Sequence, residues 1–359
     1  MSIIQPVFKL IKPTEEIWTA IENSADSSVF VSRQWHLFLN KRHQQTVIVE
    51  IAQEGMLLGY FVGSRMFGLP IMGAPLSGAG TYLGGIVALE TITTDDRVKL
   101  YSQLYRWLRR SFKAFYLQIT DWQLRIGYED FVPYETWEHP VLKENGLFYR
   151  LRTTYCVDTS VTEQEMWARS SYSSFRYCVN KAKKEGLKVI SIDKRSEIPQ
   201  FVKTLHEQVL DVSERKKSPP HLYHSYDSLL SVCEALFPNR VLMLQVQGKD
   251  ENGDPAVLSS AVFCVDKGVS TFYAAASFHR YMKLCPNEIM VWEGLCELHR
   301  RGVHSVVLTG VAPYKKKFGS ALFYLPKIVF SPGLFKNISS GIRKFLWRIR
   351  GIKYKRNNG

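Results

Sequence analysis

The sequence lacks the features by which several functional classes are usually recognised. Its six cysteines contain no CxxC pair and its nine histidines show no metal-ligand spacing, so we expect no metal site and a reducing compartment. It has no run of the ~18 apolar residues that a membrane-spanning helix needs. Its first residues show no charged leader followed by a long apolar core. These absences favour a cytoplasmic protein.

Motifs for nucleotide binding and for covalent catalysis are missing as well. The glycine-rich stretch Gly73–Gly85 is followed by no Gly-Lys-Ser or Gly-Lys-Thr and contains no GxGxxG that opens a helix, so it matches neither a phosphate-binding loop nor a dinucleotide fingerprint. The lining of a groove is its simpler interpretation. No GxSxG elbow exists, and no cysteine lies in an evident Cys–His setting. The sequence therefore predicts no covalent nucleophile.

Positive charge is the most informative feature of the composition. The 359 residues carry 47 basic against 33 acidic side chains, a formal net charge of +14. Such an excess produces a positive potential over much of the surface, which favours polyanionic partners. Candidate partners are tRNA, a phosphorylated cofactor and an anionic membrane face. With 45% hydrophobic residues the chain can bury a large core, and its length favours two domains.

A similar order of elements occurs twice along the chain. Residues 1–150 show two helices, three strand-like runs, a further helix and the strand Phe115–Thr120. Residues 151–335 show a strand, two helices, three antiparallel strands, a helix, the strand Ser305–Leu308 and a final strand. The sequence therefore predicts two similar domains with these limits, followed by a tail of residues 336–359.

The second domain is organised around the stretch Val269–Phe330. Its strand Ser270–Ala276 leads through a loop into a helix predicted at Glu288–Arg301, with Asn287 as the N-cap after a proline. A helix N-terminus that follows a strand end is an anion site, because unpaired amides and the positive end of the dipole face the same way. The segment Gly310–Phe318 (GVAPYKKKF) adds three lysines beside the strand ends.

Three segments carry a resemblance to a known family. They are SSFRYCVNKAKKEGLKV (Ser173–Val189), the strand, loop and helix of Phe272–Val303 with their Pro-Asn, and YKKKFGSALFYLP (Tyr314–Pro326) with its aromatic-Lys-x-x-Phe-Gly turn. Together with the element order, these segments resemble the Fem family of aminoacyl and acyl transferases and its shorter relatives with a BioF-like domain. The resemblance implies an α+β fold of two tandem GNAT-like domains, each a mixed, mostly antiparallel sheet flanked by helices.

The resemblance also implies an activity. It is acyl or aminoacyl transfer from a CoA thioester or a charged tRNA to an amine or hydroxyl of a cell-envelope precursor, polysaccharide precursor or small metabolite. Acyl-CoA or aminoacyl-tRNA is then a co-substrate, and no cofactor is bound permanently. Two departures argue against coiled-coil tRNA recognition and the usual coenzyme A binding. Asp211–His224 is a short connection where peptidoglycan-bridge enzymes often insert a long arm, and Arg280-Tyr-Met-Lys-Leu has no glycine where ordinary GNAT enzymes have a pyrophosphate loop.

Lys315 is the candidate catalytic residue. It matches the lysine of the family turn, and its ammonium could neutralise a phosphate, a carboxylate or a developing oxyanion. If only its charge is considered, Lys315 is better interpreted as a solvent-exposed member of a run of basic residues. Glu288 and Glu293 are candidate proton acceptors, although each also fits an ordinary helix-surface carboxylate. Tyr314 is the second catalytic candidate, and the substrate-binding candidates are Arg176, Tyr273, Asn287, Phe318 and Gly319.

A second class of function stays open at this stage. The chain could be a non-catalytic GNAT-like protein whose basic surface binds nucleic acid or an anionic membrane. The two classes predict different architectures. An enzyme needs a groove between strand ends with Lys315 at its rim, whereas a binding protein needs an even basic face and a filled cleft.

The tail has the pattern of a basic amphipathic helix. Within Asn337–Arg350 the apolar residues fall on one helical face and the basic ones opposite. Such a helix can lie on the anionic inner face of a membrane, where each basic residue contributes about 1 kcal/mol. Alternatively, its apolar face packs on the second domain. The apolar residues are Ile338, Ile342, Phe345, Leu346 and Ile349, and the basic ones are Arg343, Lys344, Arg348 and Arg350.

The membrane interpretation of the tail predicts that deleting Asn337–Gly359 abolishes binding to anionic vesicles and leaves the melting temperature unchanged. Binding of the intact chain should weaken with salt, because the basic residues act through screened charge. Co-sedimentation with vesicles and thermal unfolding measure the two quantities. A lower melting temperature after deletion, with no vesicle binding by the intact chain, would show that the apolar face is packed on the protein.

Overall fold

The computed structural model of the chain describes several stretches of the sequence. They are residues 5–41, 44–66, 75–77, 85–112, 116–127, 141–142, 149–217, 224–266, 268–309 and 313–330. Most of the glycine-rich stretch and the whole of the tail, for which the sequence made predictions, lie outside these residues. Within them, no helix combines the length and the apolar composition that crossing a bilayer requires.

The helices of the described stretches flank two sets of strands. They are α1 (Glu15–Asn23), α2 (Arg33–Lys41), α3 (Thr94–Phe112), α4 (Glu163–Arg169), α5 (Tyr177–Lys184), α6 (Ile198–Arg215), α7 (Tyr226–Leu236) and α8 (Pro286–Arg300). Three shorter helical turns matter for the site. They are the π-helical turn Tyr172–Arg176 and the 3-10 helices His279–Leu284 and Pro313–Phe318.

The strands range from two to eleven residues. They are β1 (Val7–Ile11), β2 (Gln44–Gln53), β3 (Met56–Met66), β4 (Pro75–Ser77), β5 (Ile86–Ala88), β6 (Tyr116–Thr120), β7 (Ile126–Gly127), β8 (Tyr149–Asp158), β9 (Lys188–Ser191), β10 (Val241–Lys249), β11 (Pro255–Cys264), β12 (Val269–Ser277), β13 (Ser305–Val307) and β14 (Ala321–Phe330).

The chain forms two compact units. Of the described residues, the first unit holds those up to Thr154 and those from Leu322 to Phe330, and the second holds those from Tyr155 to Ala321. The predicted second domain, residues 151–335, included the final strand. In the structure this strand belongs from Leu322 onward to the first unit instead, where β14 pairs with β6 and β7.

The two units repeat one pattern of strand pairing. In the first, β1, β2, β3 and β4 are successive antiparallel neighbours, β6 is parallel to β4, and β14 is antiparallel to β6. In the second, β9, β10, β11 and β12 are successive antiparallel neighbours, β13 is parallel to β12, and β8 is antiparallel to β13. Strands β6 and β13 therefore hold equivalent places in the two pairing patterns, and the predicted tandem α+β fold class is confirmed.

Local sequence signals explain how the helices of the second unit begin and pack. Thr162 and Glu165 form a capping box, in which each side chain bonds to the other residue's backbone amide. In α8, Gly294 lies against Phe263 of β11, and a Cβ at Gly294 would come within 2.7 Å of the phenyl ring. The glycine therefore allows α8 to lie close against the sheet, with most of its apolar residues buried.

Two predicted helix limits differ from the structure. Helix α8 begins at Pro286 and its N-cap is Cys285, so Asn287 lies inside the first turn instead of capping it. Proline is well suited to a first turn, where its missing N–H has no intrahelical partner to lose. Helix α6 continues to Arg215, so the first residues of the predicted connection Asp211–His224 are helical, with Ser213 buried among them.

Because β14 belongs to the first unit, a core substitution in β14 should destabilise that unit. Ile328 is fully buried in the core of the first unit and pairs with Ile119 of β6. Ile328→Ala should lower the free energy of unfolding by about 2–5 kcal/mol, the usual range for truncating a buried isoleucine. Hydrogen exchange should then accelerate in β6.

Val306→Ala is the matched control, because Val306 is equally buried in β13, the equivalent strand of the second unit. It should accelerate exchange in β12 instead. If Ile328→Ala loosened β12 and left β6 protected, the assignment of β14 to the first unit would be wrong.

Candidate functional site

A fork between two parallel strands creates the candidate site of the second unit. Strands β12 and β13 pair from Val269 with Ser305 to Thr271 with Val307. Beyond this point the Thr309 hydroxyl donates to the backbone oxygen of Phe272 at 2.9 Å. At the same level β12 contains a register shift against β11, between residues 272 and 274. Such irregularities often lie beside active sites, because they bend the strand and redirect its side chains.

A cavity of about 520 Å³ opens where the two strands part. Its wall comes from the C-terminal part of α6, from β12, from the first turn of α8 and from the 3-10 helix Pro313–Phe318. The lining includes the following residues: Val212, Arg215, Lys216, His224, Tyr273, Ser277, Asn287, Glu288, Val291, Thr309, Tyr314, Lys315, Lys317 and Phe318. Five of the seven predicted site residues are thus brought together at one place, although they come from three separate segments of the chain.

Lys315 is the buried cation of this cavity. Only 7% of its surface is exposed, and its ammonium donates hydrogen bonds to the backbone oxygens of Leu308 and Thr309. Burial lowers the pKa of the ammonium to about 8. No carboxylate of the described residues forms an ion pair with it. An ammonium has three donors, so one N–H remains for a group that enters the cavity.

The turn that carries Lys315 is held by its aromatic and glycine neighbours. Phe318 is buried, and its ring contacts those of Phe175 and Tyr314 at 5.1 and 6.0 Å between centroids. Gly319 has a φ of 73°, and a Cβ there would meet the backbone of Arg169 at 3.0 Å. These contacts explain why the aromatic-Lys-x-x-Phe-Gly turn has phenylalanine and glycine at its last two positions. Gly319 itself is not among the residues that line the cavity, whereas the half-exposed Tyr314 is.

Asn287 is fixed by two hydroxyls from the sheet. Its Oδ1 atom accepts hydrogen bonds from Ser277 at 2.5 Å and from Ser259 at 3.2 Å. The hydroxyl oxygens of Ser277 and Ser259 also lie 2.7 Å apart, within hydrogen-bond distance of each other. The side chain is therefore oriented by β11 and β12, so its place in the site depends on the sheet rather than on capping.

Glu288 and Lys317 form an ion pair on the cavity wall. Both side chains are mostly buried. The backbone oxygen of Lys317 also accepts from Ser171, which ties the turn to the π-helical segment. Glu293, the other predicted proton acceptor, lies outside the cavity lining and faces Lys183 at 3.5 Å.

The two remaining predicted residues have different positions. Tyr273 is buried on β12 and lines the cavity, with its ring 6.2 Å from that of His224. Arg176 is not among the lining residues. Its guanidinium lies 5.0 Å from the centroid of the exposed Tyr172 ring, at the end of the π-helical turn. The structure therefore separates Arg176 from the residues around Lys315.

Sequence reasoning missed the basic end of the cavity. Arg215 and Lys216 belong to the end of α6 and its cap, a segment that the sequence analysis assigned to a connection. Arg215 contacts the ring of His279 at 2.8 Å, and Asp211 accepts from the His279 amide at 3.0 Å. With Lys315 and Lys317, the described lining holds four cations against one carboxylate. The cavity is therefore suited to an anionic ligand.

Comparison with known proteins shows the fold of this chain. No family profile and no curated protein matches its sequence. The structure of FemX has a TM-score of 0.68 at 11% identity, with 88% of this chain and 96% of that chain covered. L-PGS from Bacillus licheniformis has a TM-score of 0.52 at 10% identity, with 94% and 98% covered. The chain therefore has the same fold as FemX, and the tandem α+β architecture that the sequence predicted is confirmed.

We expect Lys315 to titrate near pH 8, well below the reference value of about 10.4 for a lysine. Its acetylation by acetic anhydride, followed by mass spectrometry, should rise with a midpoint near pH 8. Because the folded pKa is below the unfolded one, the folded state binds fewer protons between these values. The free energy of unfolding should therefore rise with pH over this window relative to Lys315→Met.

Lys316→Met is the matched control, since Lys316 is the exposed neighbour in the same turn. It should leave the pH dependence of stability unchanged. A labelling midpoint of Lys315 near the reference value would show that its ammonium is solvated.

Proposed function

We propose that the second unit is the transferase unit of an acyltransferase. It moves an acyl or aminoacyl group from a thioester or a charged tRNA to an amine or hydroxyl acceptor. The single observation that carries the proposal is a buried lysine, with no carboxylate ion partner among the described residues, at the wall of a cavity between parting strands. Burying a charge without a counter-ion costs stability, and such costs cluster where a protein needs the charge for chemistry.

The proposed reaction needs stabilisation of a developing oxyanion. The acceptor nitrogen or oxygen attacks the carbonyl carbon of the donor, and the carbonyl oxygen gains negative charge as its double bond opens. The third N–H of Lys315 then donates to this oxygen, while Leu308 and Thr309 hold the ammonium in place. The tetrahedral species collapses as the bond to the thiolate or tRNA oxygen breaks. A donor placed in advance supplies this stabilisation without reorganisation.

The attacking group must also lose a proton. Glu288 is the carboxylate of the described lining, so it is the candidate acceptor. Its ion pair with Lys317 fixes the carboxylate on the wall. Tyr314, half-exposed beside both residues, is placed to contact the acceptor. Holding both substrates in one cavity supplies the largest benefit, since proximity and orientation contribute about 7–11 kcal/mol in ideal cases.

The charge of the cavity indicates the class of donor. Arg215 and Lys216 lie at the α6 side, where they can neutralise phosphates of coenzyme A or of a tRNA terminus. No permanently bound cofactor is required, because the donor itself carries the activated acyl group. The likeness to FemX and L-PGS supports the same fold being used for transfer, and the acceptor class of an envelope precursor, polysaccharide or small metabolite is part of this proposal.

The competing function is a non-catalytic protein that binds nucleic acid or an anionic membrane from the cytoplasmic side. That function predicts a filled cleft, whereas a cavity with a buried lysine is present in the second unit. The cavity therefore favours catalysis. Electrostatic attraction to tRNA or to a membrane surface remains compatible with an enzyme, since it would raise the local concentration of an anionic substrate.

The proposal predicts donor hydrolysis or transfer that depends on Lys315. Purified protein is incubated with radiolabelled acyl-CoA esters and with charged tRNA, each with a mixture of amine and hydroxyl acceptors. One donor class should be consumed. Lys315→Ala should lower the turnover number by about 10²–10³, the usual effect of removing an oxyanion donor. Because the ammonium form acts, the wild-type rate should fall as pH rises through about 8.

Lys316→Ala should retain wild-type turnover, because Lys316 is exposed in the same turn. Thermal unfolding of both variants checks that the fold is kept. Full activity in a folded Lys315→Ala protein would remove Lys315 from the mechanism. Saturable tRNA or vesicle binding, with no turnover of any donor, would favour the binding function.

A further inference from the structure

Two cysteines and a carboxylate meet beside the cavity although nothing in the sequence suggests that they should. Cys178 lies on α5, Cys285 caps α8, and Glu288 lies in the first turn of α8. One ligand atom from each, two thiol sulfurs and a carboxylate oxygen, lie within 4.8 Å of one another. Cys285 is buried, and the other two are partly buried.

The backbone around Cys285 is shaped to present its thiol to this cluster. Cys285 is one of the few described non-glycine residues with a left-handed backbone, at a φ of 59°. Such a conformation is uncommon outside glycine and asparagine. It ends the 3-10 helix His279–Leu284 and begins α8 in a single residue. Cys285 and Glu288 are three positions apart at the start of a helix, so both reach the side on which α5 supplies Cys178.

The distances are close to those of a tetrahedral metal site. Zinc binds thiolates at about 2.3 Å and carboxylate oxygens at about 2.0–2.2 Å, so tetrahedral angles place two sulfurs about 3.8 Å apart. Ligand atoms that are at most 4.8 Å apart would therefore need to move by about 1 Å or less. Side-chain rotation about the χ1 bonds covers such a movement without a change of backbone.

The chemistry of the three groups also fits a cation. Thiolate sulfurs and carboxylate oxygens are ligands that zinc binds, and a divalent cation displaces the protons of thiols when it binds them. Lys317 is the ion-pair partner that such a cation would displace from Glu288.

We propose that Cys178, Cys285 and Glu288 bind a thiolate-seeking divalent cation of the zinc class, with the fourth position left to water. This site shares Glu288 with the proposed acyl transfer, in which Glu288 is the candidate proton acceptor, whereas Lys315 and its backbone partners take no part in it. It communicates with the cavity through one residue. A cation that takes the Glu288 carboxylate competes with Lys317, so metal binding would release the Lys317 ammonium at the cavity wall.

Cobalt provides the test, because it replaces zinc and reports its ligands by absorption. Titration of the reduced, full-length protein with Co²⁺ should produce a thiolate-to-cobalt charge-transfer band and the visible bands of tetrahedral cobalt, saturating at one equivalent. Added Zn²⁺ should remove both bands. Proton release on Zn²⁺ addition, followed in weakly buffered solution, should accompany binding because a metal binds cysteine as the thiolate.

Matched variants locate the site. Cys178→Ser and Cys285→Ser should each lose most of the charge-transfer band, and Glu288→Gln should shift the titration to higher cobalt concentration. Cys296→Ser is the control, since Cys296 is buried in the same helix but lies outside the cluster. It should keep the wild-type titration. Circular dichroism checks the fold of each variant.

The proposal is overturned if the reduced, folded wild-type protein shows no thiolate band in excess Co²⁺. It is also overturned if the band persists in both Cys178→Ser and Cys285→Ser, or is lost in a folded Cys296→Ser protein. Should a serine variant fail to fold, the wild-type cobalt spectrum and its reversal by zinc decide the question. Loss of the band in the cluster variants alone supports the assignment.

Discussion

The parting of two parallel strands is the constraint on which the candidate site depends. While β12 and β13 are paired, their backbone groups satisfy one another, and each group beyond the last pair must find a new partner. Thr309 supplies a donor to Phe272, and Lys315 supplies donors to Leu308 and Thr309. The lysine is therefore both a structural partner of the fork and the charge inside it. Removing the fork would remove the reason for burying this side chain.

A buried lysine of this kind needs a rigid surrounding. Desolvation works against its charge, and carbonyl oxygens compensate only in part, which is why its pKa is lowered. Phe318 packs behind the turn, and Gly319 allows the backbone to pass close to Arg169. On the facing wall, Ser259 and Ser277 fix Asn287. The sheet and two short turns make this surrounding rigid. In the sequence these elements are visible only as motifs.

Local signals in the sequence were enough to predict the fold and several residues of the candidate site. The repeated order of helices and strands predicted the tandem architecture, and the YKKKFG turn drew attention to Lys315. Features that depend on distant pairing were not accessible. A strand pattern at Ala321–Phe330 predicts a strand but not its neighbour, so β14 was assigned to the wrong unit. Cys178 and Cys285 were judged by spacing along the chain, which carries no information on their meeting in space.

The pairing of β14, which is late in the sequence, with β6 of the first unit has a consequence for folding during synthesis on the ribosome. The strands of the second unit have all emerged once β13 is made, whereas the first unit still lacks the strand that pairs with β6. Residues 121–320 lie between β6 and β14, so at about 5–20 residues per second the nascent first unit would wait about 10–40 seconds with the edge of β6 uncovered. Uncovered strand edges recruit other chains, and non-local pairing slows folding. The half of the protein that is translated first is therefore the half whose sheet is completed last.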